Sequence, residues 1–213
     1  MRRTVVALAL AVFVLAGCEP KITREVLLVG DSVTSESSKS IVQSFNHVAV
    51  NAKASRFAPV FGSVVSGQGL LKVPAVPRDK VDEFWTKHVA SLMAHVHPEV
   101  IVVELGYNDC DHLRDLATYG SRIDGFMAQI PRSVPVHWLT VADPKKRRQC
   151  DEIINTQLLA ATVRHSNMTL LDFARFMNKH PEWTPDGVHP NAQGQKQYAL
   201  WLHGQLTKLY PER

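Results

Sequence analysis

Short runs rich in Val, Leu and Ile alternate with longer helix-patterned segments from Glu25 onward, and no other feature limits the fold of this chain as strongly. The runs are Glu25–Val29, Pro59–Val65, Val100–Leu105, Val134–Val141 and Thr169–Leu171. The third is apolar over almost its whole length, the pattern of a strand buried on both faces. Between and after the runs, the spacing predicts helices over Ser32 to about Ser55, Asp79–His97, Asp115–Ile130, Arg148–His165 and Asn191–Leu209. In Asp79–His97 the apolar residues Val81, Phe84, Trp85, Val89, Leu92 and Met93 recur at helical intervals. Strands alternating with helices build a parallel sheet of about five strands covered on both sides, and ligands of such sheets bind beyond the carboxyl ends of the strands. With 213 residues the chain suits a single α/β domain, placed at residues 25–213.

Residues 1–18 read as a targeting segment. Arg2 and Arg3 precede a nearly unbroken apolar run, Thr4–Ala16, too short for a stable membrane span. The run ends in Leu15-Ala16-Gly17-Cys18, which resembles the bacterial lipobox, whose cysteine is lipidated and becomes the new N-terminus. A plain secretory signal followed by a chance cysteine is the alternative. On the first reading residues 19–24 are a short linker, and the domain is exported and tethered through Cys18 to the cell envelope. Arg2 and Arg3 supply two of the four net positive charges, so the remainder is nearly balanced and lacks the basic footprint of a nucleic-acid partner. In an oxidising compartment Cys110 and Cys150 either form a bridge or remain two buried thiols.

Three short motifs fall at the predicted strand ends. Gly30-Asp31-Ser32 follows the first strand, and Ser32 sits where a helix N-terminus offers free N–H groups to an anion. Alone, Ser32 is as readily a helix cap. Gly106-Tyr107-Asn108-Asp109 follows the third strand, and Asn108 offers a side-chain amide donor in what is otherwise an ordinary Asn-Asp turn. Asp186-Gly187-Val188-His189 follows the last strand, where a turn can fold the carboxylate onto the imidazole Nδ1–H and free Nε2 to accept a serine proton. The N–H groups of Ser32 and Gly67 would complete an oxyanion hole with Asn108. Together these are the parts of acyl transfer: nucleophile, base, orienting carboxylate and oxyanion donors.

At these residues the chain resembles the SGNH (GDSL-type) hydrolase superfamily over nearly all of the segment after residue 18. Gly30-Asp31-Ser32 matches its first block, Ser66-Gly67-Gln68-Gly69 loosely its second, Gly106-Tyr107-Asn108-Asp109 its third and Asp186-Gly187-Val188-His189-Pro190 its fifth. In the second block Gly69 is an alternative to Gly67. The resemblance implies a three-layer flavodoxin-like fold and ester hydrolysis without metal or other cofactor. It also implies Ser32, Gly67, Asn108 and His189 as the core four, with Asp186 completing the triad. The Gly-x-Ser-x-Gly elbow of the α/β-hydrolases is absent from the nucleophile turn, as are nucleotide-binding glycine loops.

Other signals fit blander roles. Lys145, Lys146, Arg147 and Arg148 read as a solvated loop, or as an attractor of anionic polysaccharide or lipid. His95 with His97, and Asp109 with Asp111 and His112, have metal-like spacings that nothing else completes. Tyr107 and Trp183 either face substrate or pack. The function expected is an exported esterase for short acyl groups, acetyl foremost, on cell-envelope carbohydrate. Alternatives are an O-acyltransferase, a lipase or thioesterase, and a binding module without turnover. The oligomeric state is not legible.

Overall fold

The computed structural model describes residues 24–47, 57–146 and 150–211. The signal segment, Cys18, most of the linker, and Arg147 and Arg148 lie outside the described residues. Five strands, β1 (Arg24–Gly30), β2 (Phe57–Val64), β3 (Val100–Glu104), β4 (Val136–Leu139) and β5 (Met168–Leu171), form one sheet in the order β2-β1-β3-β4-β5. All four pairings are parallel. The chain leaves β1 for the β2 edge, then returns past β1 to β3, so the order reverses between β1 and β3. That reversal opens the crevice in which doubly wound sheets bind ligands.

The apolar runs bury both faces because successive side chains point to opposite sides of a strand. Val26 and Leu28 of β1 and Val100 and Val102 of β3 pack on one side, against helices α1 (Ser32–His47) and α6 (Ala192–Leu209). Leu27, Val29, Ile101 and Val103 pack on the other, against α2 (Val81–Val96), α3 (Leu116–Met127) and α4 (Asp151–Arg164). Trp138 of β4 is wholly buried and donates its indole N–H to the Leu105 carbonyl at 3.1 Å. This is the three-layer architecture expected from the sequence.

The expected elements are present, with shifted ends. The first helix spans Ser32–His47, its expected continuation to about Ser55 lying outside the described residues, and the fourth strand contracts to Val136–Leu139. Tyr107–Asp115 forms a 3₁₀ segment, kinked by non-helical backbone at His112, that runs into α3. A short helix α5 (Phe173–Met177), capped by Asp172 Oδ1 at 3.1 Å from Arg175 N, and a 3₁₀ turn at Pro181–Trp183 lie in a stretch that carries no sustained helical period. Along β1 and β2 the register slips at Leu28/Val29, where Gly62 is the extra residue of a bulge.

Cys110 and Cys150 are joined by a disulfide with Cα atoms 5.6 Å apart. It ties the 3₁₀ segment after Asn108 to the start of α4. Because it closes 40 residues, the chain-entropy model gives a stabilisation of ~4 kcal/mol. A Cys110→Ala/Cys150→Ala double variant should lose about that amount in urea unfolding, and a loss below ~1 kcal/mol would show that the bridge constrains little.

Candidate active site

The Gly30-Asp31-Ser32 turn is built by its aspartate. Asp31 is 1 % exposed; its Oδ1 accepts the Val33 N–H at 2.9 Å and its main-chain carbonyl accepts the Ser35 N–H at 2.9 Å. It therefore caps α1 and leaves Ser32 as the first helical residue. On the opposite side, Asp186 folds its own loop. Oδ1 accepts the N–H groups of Val188 at 2.9 Å and His189 at 2.8 Å, and Oδ2 lies 2.6 Å from His189 Nδ1. Desolvation pushes the Asp186 carboxyl upward, but the His189 and Val188 hydrogen bonds outweigh it and hold its pKa down at about 2. A carboxylate only accepts, so Nδ1 carries the imidazole proton and Nε2 is left as an acceptor. Ser32 Oγ lies 2.9 Å from that Nε2 and donates to it. Ser32 and His189, 157 residues apart in the chain, thus join Asp186 in one unbroken line of hydrogen bonds.

The structure separates the two candidate glycines of the second block. The Gly69 N–H is used by the Lys72 carbonyl at 2.6 Å, and a Cβ on Gly69 would lie 2.2 Å from Asp109 Oδ1. Gly69 is there for close packing. Gly67 has φ +79°, a Cβ there would meet only Pro74 Cγ at an ordinary 3.8 Å, and among the described residues its N–H meets no acceptor. Gly67 is therefore the free donor of the pair.

Asn108 is more constrained than the sequence suggests. Its Nδ2 donates to Asp31 Oδ2 at 2.8 Å and to the Gln68 carbonyl at 3.0 Å. An amide nitrogen has two hydrogens, so both are engaged. Donation to a substrate oxygen requires release of one, and the longer bond to the neutral Gln68 carbonyl is the one to yield.

Two buried side chains, Gln68 and Asp109, hold this crevice together. Gln68, 0 % exposed, donates from Nε2 to the carbonyls of Gly30 at 2.6 Å and Ser63 at 2.9 Å, joining the ends of β1 and β2. Asp109, also 0 % exposed, accepts from Leu70 N at 2.8 Å, Leu71 N at 2.7 Å and the Tyr119 hydroxyl at 3.1 Å. It clamps the glycine loop to the β3 turn. Among the described residues no cluster of metal-binding side chains forms. The bonds of Gln68 and Asp109 give no signal in sequence, because their partners are main-chain groups far along the chain.

Trp183 is buried and stacks on His180 with centroids 3.8 Å apart, capping the core of the α1–α6 side. Tyr107 is buried as well and borders a small cavity with Val33, Val141, Phe173, Met177 and Val188. That cavity leaves about 20 Å³ open to the centres of water-sized molecules, and Val33 and Val188 are the chain neighbours of Ser32 and His189. Lys145 of the basic run donates to the Pro185 carbonyl, beside Asp186.

A model of the GDSL-like lipase/acylhydrolase family matches residues 28–197, which include every residue of the relay. The chain belongs to that family. Against curated proteins, this GDSL-like chain is 25 % identical over 174 residues to the "Putative peptidoglycan O-acetyltransferase YrhL" of Bacillus subtilis (strain 168); the match spans 81 % of this chain and 22 % of that protein, about a fifth of its length. Among solved structures it is similar to a family 3 carbohydrate esterase of Clostridium thermocellum, with TM-score 0.64, 13 % identity, and coverage of 89 % of this chain and 100 % of the other. It is also similar to the C-terminal catalytic domain of the Streptococcus pneumoniae peptidoglycan O-acetyltransferase A, with TM-score 0.57, 15 % identity, and coverage of 88 % and 92 %. These structural likenesses show the shared SGNH hydrolase fold.

The Asp109 clamp has a pH signature. Desolvation raises its carboxyl to about 6 against the Leu71, Leu70 and Tyr119 bonds that lower it. Between pH 3.8, the ordinary aspartate pKa that the unfolded chain keeps, and about 6, the folded state holds a proton that the unfolded chain has released. This contribution is fully present below pH ~4 and lost as pH rises through about 6, on the order of 3 kcal/mol in all. Unfolding free energies measured from pH 4 to 7 should fall by that amount relative to Asp109→Asn, which lacks the group; parallel curves for the two proteins would refute the assignment. Gly69→Ala should destabilise the fold by ~1–3 kcal/mol, since Asp109 cannot move without giving up its donors.

Proposed function

We propose that this GDSL-like chain is a serine esterase that removes acetyl groups from cell-envelope carbohydrate. The observation that carries this reading is the relay Ser32–His189–Asp186, closed at 2.9 and 2.6 Å with the proton already placed on Nδ1. Ser32 Oγ attacks the ester carbonyl carbon as its proton passes to His189 Nε2, and Asp186 stabilises the imidazolium. The carbonyl oxygen becomes an oxyanion and receives the N–H groups of Ser32 and Gly67 and one hydrogen of Asn108, which turns from the Gln68 carbonyl. His189 returns the proton to the leaving alkoxide, and water repeats the sequence on the acyl-enzyme.

Acyl size follows from the cavity. A space of about 20 Å³, lined by Val33 and Val188, the chain neighbours of Ser32 and His189, and by Glu104 and Thr184 among apolar side chains, has the size of an acetyl methyl, and longer chains would lie in solvent. Each added methylene should then gain much less than the ~0.8 kcal/mol of full burial. Export and tethering through Cys18 belong to the same reading, since they would hold the domain where acetylated polymers lie. A second reading, O-acetyl transfer, draws on the likeness to peptidoglycan O-acetyltransferases in sequence and fold. There a sugar hydroxyl replaces water in the second step, with the same residues. The small cavity speaks against a lipase, and the intact relay against a binding module.

Ser32→Ala should abolish labelling by a fluorophosphonate and lower hydrolysis of an acetyl aryl ester by several orders of magnitude while leaving the melting temperature unchanged. Asn108→Ala should cost ~10²–10³-fold in kcat with little change in KM. Across acetyl, butyryl and octanoyl esters kcat/KM should be highest for acetyl; a steady rise with chain length contradicts the acetyl assignment. Release of free acetate from acetylated polysaccharide supports hydrolysis, whereas acetate moved to an added sugar acceptor in preference to water supports transfer.

A further inference from the structure

Behind the nucleophile turn lies a pair of acids for which the proposed mechanism has no use. Glu104 ends β3 and is the register partner of Gly30 in β1, so the parallel pairing sets it beside Asp31. Both are buried, at 8 % and 1 % exposure. Glu104 Oε2 accepts from the Asp31 N–H at 3.4 Å and from Thr34 Oγ1 at 3.0 Å, which sets its carboxyl against the Asp31 turn. Thr34 gives its only proton to Glu104, so the Tyr198 hydroxyl, 3.3 Å away, donates to Thr34. Asp31 is the acceptor of one Asn108 hydrogen. The observed donors run from Tyr198 to Thr34 to Glu104 on one side and from Asn108 to Asp31 on the other, with the two acids side by side.

Two carboxyl groups in contact away from water cannot both be ionised, so one proton must lie between them. Its place follows from the donors. Asp31 has the Val33 N–H, the Asn108 amide and the positive N-terminal end of α1, all favouring its charged form. Glu104 has a neutral hydroxyl and one long main-chain contact. Burial raises both carboxyls; the Asp31 charge then pushes Glu104 well above the usual range, whereas the Val33 and Asn108 donors and His189 draw Asp31 back down. The other titratable groups around the pair are Tyr198 of α6, Asp109 of the β3 turn and His189, and of these His189 alone can become cationic.

We propose that Glu104 is a positioning residue that, as the protonated member of the pair, locks Asp31 as a charged acceptor and so fixes the roll of the Asn108 amide. With one hydrogen held by Asp31, the other is turned toward the Gln68 carbonyl and, in the reaction, toward the oxyanion. The shared proton also keeps the charge behind the oxyanion hole at one rather than two, which a developing oxyanion would otherwise meet as repulsion. This inference rests on the oxyanion role given to Asn108 above.

The test is steady-state kinetics of the full chain on an acetyl aryl ester for wild type, Glu104→Leu and Glu104→Gln. Both replacements keep the bulk that borders the small cavity. Leucine removes the donor to Asp31 and should lower kcat by about tenfold or more with KM within about twofold. Glutamine is neutral, donates to Asp31 and accepts from Thr34, and should restore kcat to within about threefold of wild type. Wild-type kcat in the leucine variant, loss confined to KM, or a glutamine variant as impaired as the leucine one would overturn the proposal. A wild type that neither turns over esters nor reacts with a fluorophosphonate would instead sink the esterase reading. The acid pair has its own readout, ¹³C carboxyl NMR in Ser32→Ala: Glu104 should stay neutral through pH 7, and titration in the ordinary carboxylate range would refute the shared proton.

Discussion

The Asp31 carboxylate is the point at which the separate strands of this site are tied together. It caps α1, which sets Ser32 at a helix N-terminus, and it accepts the Asn108 amide from the β3 turn. The N–H of the same residue donates to Glu104, the last residue of β3. A carboxylate with 1 % exposure is stable only when its oxygens are supplied with donors, and those donors come from two strand ends. Burial thus turns one residue into a constraint on the relative placement of nucleophile and proposed oxyanion donor.

The same physics recurs around it. Asp109 is buried and fed by Leu70, Leu71 and Tyr119, and Gln68 is buried and donates to Gly30 and Ser63. These ties join β1, β2 and β3 at their carboxyl ends, across the place where the sheet order reverses. The Ser32–His189–Asp186 relay is less buried; its order comes from a local turn, with Asp186 folding its own loop through Val188 and His189. A rigid, internally bonded floor therefore faces a base carried on a shorter, more open segment. That division suits a site in which the oxyanion donors must be fixed while the imidazole exchanges protons with substrate and solvent.

Much of this was legible in the chain. Period and composition gave the five strands, the covering helices and the sheet edge on which Ser32, Asn108 and His189 would meet, because a parallel strand buried on both faces has few other sequences available to it. Element ends were less legible. The 3₁₀ segment Tyr107–Asp115 is held by its contacts with β3, α3 and the Cys110–Cys150 bridge rather than by local propensity, and α5 is too short to show a period.

The sequence by itself determined the residue types of the site and their order, since a turn such as Asp186-Gly187-Val188-His189 fixes its own carboxylate–imidazole contact within four residues. Only the tertiary structure decided between Gly67 and Gly69, because the answer lies in which N–H the Lys72 carbonyl takes and where Asp109 sits. It alone brought Glu104 against Asp31, through a parallel register between strands more than 70 residues apart. It alone engaged both hydrogens of Asn108. Local turns are written in neighbouring residues, whereas the satisfaction of a buried polar group depends on whatever the fold packs beside it.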